Sequence, residues 1–486
     1  MARPSDLFAL LAALLLLQGC DEAETGPIAV SAIGAPPKLV NPNREPLDAA
    51  SAFLVDAAAQ GLVRFDAAGL IEPALAQRWI ASDDGLRYTF RLARAQWRNG
   101  ERITAEQVVG RLKAAMSGAS RNPVKPLLGA IDEIVAMTDD VLEISLKSSR
   151  PNFLQLLAQP ELALIRNGEG SGPYAANRQP DGSVLLTAPA PEDEEEPEAA
   201  PAQAWPAILL RGERAAGAIA RFGEERADLV VGGTLGDLPI ALAAEPGNAL
   251  LFDPAAGLFG LAFVRGEGPL ARTDVRHALA MALDRPAIAA ALRVPGLQPR
   301  ETLLPAGIEG LPRPAAPAWT ASPLALRREA AAQAIAAAGR EEPVRVTVAL
   351  PDGPGYRLLF AHLRRDWATI GVTAQRVRPG QAADLRLVDE VAPVGLASWY
   401  LRRFSCEANP VCDPAADEMM AAARIAPTPA NRRGLLANAD RILAEAASYI
   451  PIATPVRWSL VSPRLTGFRP NPFAHHAAGE LIRRAP

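Results

Sequence analysis

The sequence predicts an α/β fold spread over two or three domains, and three observations carry that prediction. Val344–Leu350, Tyr356–Ile370 and Val372–Val377 read as strand, helix and strand at the spacing of a βαβ unit, so part of the second half forms a parallel sheet. Nearer the start, Tyr88–Leu92 alternates apolar and polar residues, while Ile131–Met137 and Val141–Leu146 flank Asp139-Asp140 as an antiparallel hairpin. A chain of 486 residues, 49% of them apolar, exceeds what one hydrophobic core organises.

The N-terminus opens with Met1, Ala2 and Arg3, then an apolar run from Leu7 to Leu17. That run is shorter than the roughly 20 residues a membrane-spanning helix needs and has the length of a signal-peptide core. It ends in Leu17-Gln18-Gly19-Cys20, which resembles the lipobox of bacterial lipoproteins. The resemblance implies a signal peptide over 1–19 and a lipidated Cys20 as the first mature residue. Asp21 then resembles an inner-membrane retention signal. A secretory signal with an unrelated cysteine is the other reading. Residues 20–37 read as a polar, Pro-containing tether.

Further elements follow from caps and periodicity. Thr104 with Gln107 makes a capping-box arrangement, opening a helix to Met116 with Val108, Leu112 and Ala115 on one face. Thr273 caps a helix through Leu283, and Ser322-Pro323 starts another that Gly339 stops. Thr428-Pro429 opens a helix that buries Leu435, Leu436, Ala439, Ile442, Leu443 and Ala446. Ile450–Ile452 and Trp458–Ser462 return to a sheet as short strands. Between the halves, 188–206 is acidic and Pro-rich, and reads as a solvated loop rather than a calcium or docking site.

Composition narrows the function. A net charge of −4 offers no basic face for nucleic acid. With Cys20 taken by lipid, Cys406 and Cys412 remain as an even pair around Asn409-Pro410, which reads as a small disulfide-closed loop. Two cysteines without a nearby histidine make a poor zinc set, so no metal and no cofactor are expected. His475-His476, in a Pro-rich tail, read as a surface pair. The sequence holds no phosphate-binding loop, no H-E-x-x-H and no G-x-S-x-G, so nothing marks an enzyme or a catalytic residue.

Several motifs then line up in order over most of the chain. They include Leu39-Val40-Asn41-Pro42, Gly61-Leu62-Val63-Arg64-Phe65-Asp66 and Ile71-Glu72-Pro73-Ala74-Leu75-Ala76 leading to Trp79. Trp97-Arg98-Asn99-Gly100 precedes Thr104-Ala105-Glu106-Gln107-Val108. Gly170-Ser171-Gly172-Pro173-Tyr174, Asp274-Val275-Arg276 to Leu283-Asp284-Arg285, and Gly467-Phe468 complete the series. This series resembles the family-5 extracellular solute-binding proteins, the dipeptide-, oligopeptide- and nickel-binding group. Locally, Trp79, Phe90, Trp97 and Val108 pack a small core, and the glycines around Ser171 permit a sharp reversal.

The resemblance implies a periplasmic-binding-protein-like, two-lobed fold of type II, cluster C-like, with an extra inserted small α+β domain. Its expected division is 38–60, 169–260 and 450–486 in a discontinuous lobe I, 61–168 in the inserted domain, and 261–449 in lobe II. It further implies a monomeric component of an ABC-type importer, periplasmic and held at the inner membrane by lipidated Cys20, or else a cell-surface lipoprotein. A peptide or other small solute would bind between the lobes and pass to a permease and ATPase complex. A non-transport scaffold or chaperone-like lipoprotein with a degenerate site is the competing reading.

The ligand-binding expectation falls on one segment. Where peptide-binding relatives carry an acidic loop for the peptide amine, this chain has Ser398-Trp399-Tyr400-Leu401-Arg402-Arg403. If Arg402 and Arg403 face the cleft, they suit an anionic or neutral ligand, with Trp399 and Tyr400 as stacking surfaces. The alternative puts both arginines in water and Trp399 in the core. Asp389-Glu390 could supply the missing negative charge.

Overall fold

The computed structural model describes residues 26–150, 152–188, 205–339 and 343–482. The signal-peptide reading of 1–19, the lipidation reading of Cys20 and most of the acidic stretch lie outside the described residues.

The chain starts in lobe I with β1 (Ile28–Ile33), followed by α1 (Ala49–Ala58), which Asp48 caps by accepting from the Ser51 amide. It then leaves for a smaller body. A short ladder of β2 (Val63–Phe65) and β3 (Ile71–Pro73) leads into β4 (Ala76–Ala81) and β5 (Arg87–Leu92). Next come α2 (Ala105–Met116), β6 (Ile131–Thr138), β7 (Val141–Leu146) and α3 (Phe153–Leu157). Strands β4, β5, β7 and β6 form an antiparallel sheet in that order, and α2 packs on it through Val108, Val109 and Leu112. The alternation of Tyr88, Phe90 and Leu92 puts those residues on the covered face.

The chain returns through the small ladder of β8 (Ile165–Arg166) and β9 (Glu169–Gly170), then β10 (Ala175–Arg178) and β11 (Val184–Thr187). Lobe I continues with β12 (Ile208–Glu213), α4 (Ala215–Gly223), β13 (Leu229–Thr234), α5 (Leu238–Ala243) and β14 (Leu250–Phe252). The lobe I sheet has seven strands in the order β10-β11-β12-β1-β13-β20-β14, where β20 is Arg457–Val461 from the far end of the chain. β1 runs parallel to both β12 and β13.

Lobe II begins at β15 (Gly257–Phe263), buried along its whole length. It adds α6 (Thr273–Met281), α7 (Arg285–Leu292), α8 (Leu324–Ala338), β16 (Arg345–Ala349), α9 (Pro354–Ala368), β17 (Thr373–Val377) and β18 (Leu385–Val391). Helices α10 (Ala397–Arg402), α11 (Pro414–Arg424) and α12 (Pro429–Ala446) precede β19 (Tyr449–Ala453). The five-stranded sheet runs β17-β16-β18-β15-β19. β16, α9 and β17 make the expected βαβ unit, with Arg345 opposite Thr373 in parallel register.

Several expectations need correction. The tether over 20–37 does not extend to residue 37, because β1 is the central strand of lobe I. Its short apolar run is what a parallel strand buried on both faces requires. The crossings between lobes fall at 253–256 and 454–456 rather than at 260 and 450, since β15 and β19 both belong to the lobe II sheet. Thr273 is inside its helix and makes no cap. Its hydroxyl instead accepts from Arg276. Gly170 and Gly172 do not reverse the chain at positive φ. Their backbones press on the end of α1, where an added Cβ would sit 1.9 Å from the Ala58 carbonyl oxygen at Gly170. His475 and His476 are not a surface pair. Their ring Nε2 atoms lie 3.3 Å from Asp56 and from Asp253 respectively, under 16% and 6% side-chain exposure.

Candidate functional site

Two crossing segments join the lobes, and charged side chains brace them. At one crossing the Asp253 amide donates to the Arg457 carbonyl, 3.0 Å away, and the Ala256 amide donates to Pro472. Asp389, at the end of β18, accepts from Arg457 Nη1 at 2.7 Å and from the Tyr356 hydroxyl at 2.8 Å. It therefore ties α9 of lobe II to the strand returning to lobe I. Burial pushes the Tyr356 phenol well up, and the adjacent Asp389 carboxylate adds to the shift, so the hydroxyl stays a donor.

The lobes meet directly beside these crossings. The Gly355 amide donates to the Gly236 carbonyl at 3.0 Å, joining the start of α9 to the loop after β13. A Cβ on Gly355 would lie 1.7 Å from the Leu235 carbonyl oxygen, and one on Gly236 would lie 2.7 Å from the Tyr356 ring. Only glycine backbones come this close. The inserted domain also closes on lobe II. Gln159 donates to the Pro393 carbonyl at 2.6 Å and Asn152 to the Gly395 carbonyl at 2.9 Å. One apolar cluster runs through both bodies, including Phe153, Leu156, Val394 and Leu396.

Within this second seam lies a cavity of about 210 Å³. Pro126, Leu127 and Arg150 line it from the inserted domain, and Ser398, Arg402, Asp417 and Arg424 line it from lobe II. Arg150 is 9% exposed and donates through Nη1 to the Ser149 carbonyl. Burial lowers its pKa to about 10, with Arg432 adding to the shift and Glu309 opposing it. Arg402 donates to the Pro126 carbonyl at 2.6 Å, and burial, then Arg424, lower its pKa.

The sequence-predicted site residues part company on α10. Arg402 reaches the cavity. Trp399 and Tyr400 are buried, packed edge to face with centroids 4.8 Å apart, and do not line it. Burial pushes the Tyr400 phenol up to about 12, against the opposing effect of Arg300. Arg403 pairs with Glu390 and covers the Trp399 ring at 5.1 Å, so neither charge is free for a ligand. Asp389 is likewise engaged by Arg457 and Tyr356 and supplies no free charge. Cys406 and Cys412 are joined as a disulfide, and Asp417 accepts from the Cys406 amide at 2.9 Å. Arg150 and Arg424 were missed by sequence reasoning, because each lies far from α10 in the chain and neither sits in a motif.

The family model "Bacterial extracellular solute-binding proteins, family 5 Middle" matches residues 71–402. A nickel-binding periplasmic protein of Escherichia coli is 32% identical over 159 residues, which cover 32% of this chain and only 29% of that protein. A probable di/tripeptide-binding protein of Pseudomonas aeruginosa is 25% identical across 85% of this chain and 87% of its own length. In structure, the murein tripeptide binding protein MppA of Escherichia coli superposes with a TM-score of 0.79 at 19% identity, covering 94% of this chain and 98% of that one. Against the unliganded open form of MppA the TM-score is 0.66.

Proposed function

This chain belongs to the family-5 bacterial extracellular solute-binding proteins, and from that premise we propose that it captures a small solute between its lobes and delivers it to an ABC-type importer. Members of this family are binding proteins rather than enzymes. The observation that carries the proposal is the architecture itself. Two lobes are joined by two crossing segments and touch through bare glycine backbones, and a cavity lies where the inserted domain meets lobe II. Such a body holds solute by closing, and a solute that contacts both sides shifts the population toward the closed form. Peptides are one candidate class, since the Pseudomonas relative is named for di- and tripeptides. The protein works as a periplasmic monomer anchored by Cys20 and meets the permease and ATPase in its loaded form.

The test is native mass spectrometry of the full chain purified from a bacterial host, paired with small-angle scattering before and after removal of any bound molecule. A retained small molecule, with a larger radius of gyration after its removal, is the expected result. At 100 times its dissociation constant, the re-added molecule stabilises by about 2.7 kcal/mol. Identical scattering in both states and no retained molecule would refute solute capture.

A further inference from the structure

We propose that the cavity between the inserted domain and lobe II is an anion subsite, anchored by Arg150, for the carboxylate or phosphate group of the captured solute. The inference rests on the solute-capture reading and gives it a substrate class.

Arg150 presents five N–H donors, and its one hydrogen bond among the described residues is to the Ser149 carbonyl. No carboxylate lies within ion-pair distance of Arg150, Arg402 or Arg424 among the described residues, although most arginines near the lobe contacts are paired. The nearby Arg432 is spent on Glu309, 2.6 Å away. Burying a guanidinium without a counter-charge is costly, and the cavity beside it is where a counter-charge fits.

The lining holds three arginines against two carboxylates, Glu407 and Asp417. Glu407 and Arg424 are both exposed; one oxygen of Asp417 accepts the Cys406 amide and the other is buried without a partner, ready for a hydroxyl or ammonium donor of the solute. The net positive balance selects an acidic solute, and the two acids suit a hydroxyl or amino group on the same molecule. At about 210 Å³ the cavity has the volume of several waters, which leaves room for a small organic anion. Arg150 comes from the inserted domain, while Arg402 and Arg424 come from lobe II. An anion bound among them bridges the two bodies and favours closure. The planar guanidinium fork takes a carboxylate or a phosphate in two parallel bonds.

The experiment uses the full chain, with succinate, citrate and inorganic phosphate as probes in thermal-shift and calorimetric titrations. At least one probe should raise the melting temperature saturably, and added salt should weaken binding. The carboxylates and phosphate, run separately, distinguish the two anion sources. Arg150→Gln should weaken that probe at least tenfold, Arg150→Lys less so. Ligand-free Arg150→Gln should melt no lower than wild type, because an uncompensated buried charge has been removed. A purely structural Arg150 would instead lower the melting temperature. No response to any probe, or unchanged affinity in Arg150→Gln, overturns the anion subsite. If a neutral or cationic solute is nonetheless retained by the chain, solute capture stands while the subsite falls.

Discussion

Closure is tested most directly at Gly355. Its φ is not positive, so alanine fits the local backbone, and in a helix the change from glycine favours folding by about 1 kcal/mol. The tertiary contact has the opposite sign. The new Cβ would lie 1.7 Å from the Leu235 carbonyl oxygen, so the two backbones must part by about 1.7 Å to reach the 3.4 Å of ordinary contact. Overpacking of this kind costs about 1–3 kcal/mol. Leu235 and Tyr356 belong to one apolar cluster shared by lobe I and lobe II, so the cost falls on the seam where the lobes pack against each other. A closed-state penalty of this size shifts the closed-to-open ratio by about 5- to 150-fold. Apparent affinity for solute should fall by the loss of closed fraction. Small-angle scattering of Gly355→Ala should show a larger radius of gyration, while the urea midpoint of unfolding stays level or rises. Gly110→Ala is the matched control, since nothing lies within 4 Å of its added Cβ in α2. It should gain helix stability and leave scattering unchanged. If Gly355→Ala also leaves scattering and affinity unchanged, the seam yields locally and the glycine contact does not hold the lobes together.

Three other perturbations follow from buried or terminal groups. Glu309 pairs with Arg432 at 2.6 Å under 5% and 11% exposure and also accepts the Ala397 amide at the start of α10, so Glu309→Gln should cost about 3 kcal/mol in urea unfolding. Asp440 is 2% exposed, and burial raises it from 3.8 to about 6 despite the Ala315 amide that it accepts. Its folded pKa lies above the unfolded one, so stability falls as pH rises from 3.8 through 6, and the whole cost, roughly 2–3 kcal/mol, is present above that range. Asp440→Asn should therefore be more stable than wild type at pH 8 and equal to it near pH 3.5, as read from urea midpoints. Cys20→Ala should move the protein from the membrane fraction to the soluble periplasmic fraction, and continued membrane association would contradict lipid anchoring there.

The α2 helix, the hairpin of β6 and β7 and the βαβ unit of β16, α9 and β17 were all legible, because each is written in a local period or cap. Thr104 does accept the Gln107 amide, and Thr428 accepts Asn431 at 3.1 Å. The α12 helix was legible as a helix, yet Asp440 on its buried side was not, since a polar residue at a core position contradicts the apolar stripe. The candidate site was harder to read. The sequence marks α10 as a charged, aromatic segment, but which of its side chains reach the cavity depends on neighbours remote in sequence.

By itself the sequence determined the α/β class, the starts of α2, α8 and α12 and the order of family motifs, because caps, periodicity and turn residues act over a few neighbouring positions. Only the tertiary structure decided that Ile28–Ile33 is a central strand, that Trp399 and Tyr400 face the core, and that Arg402 shares a cavity with Arg150 and Arg424. Those outcomes depend on which distant surfaces exclude water together, and desolvation between remote segments leaves no periodic mark in the chain.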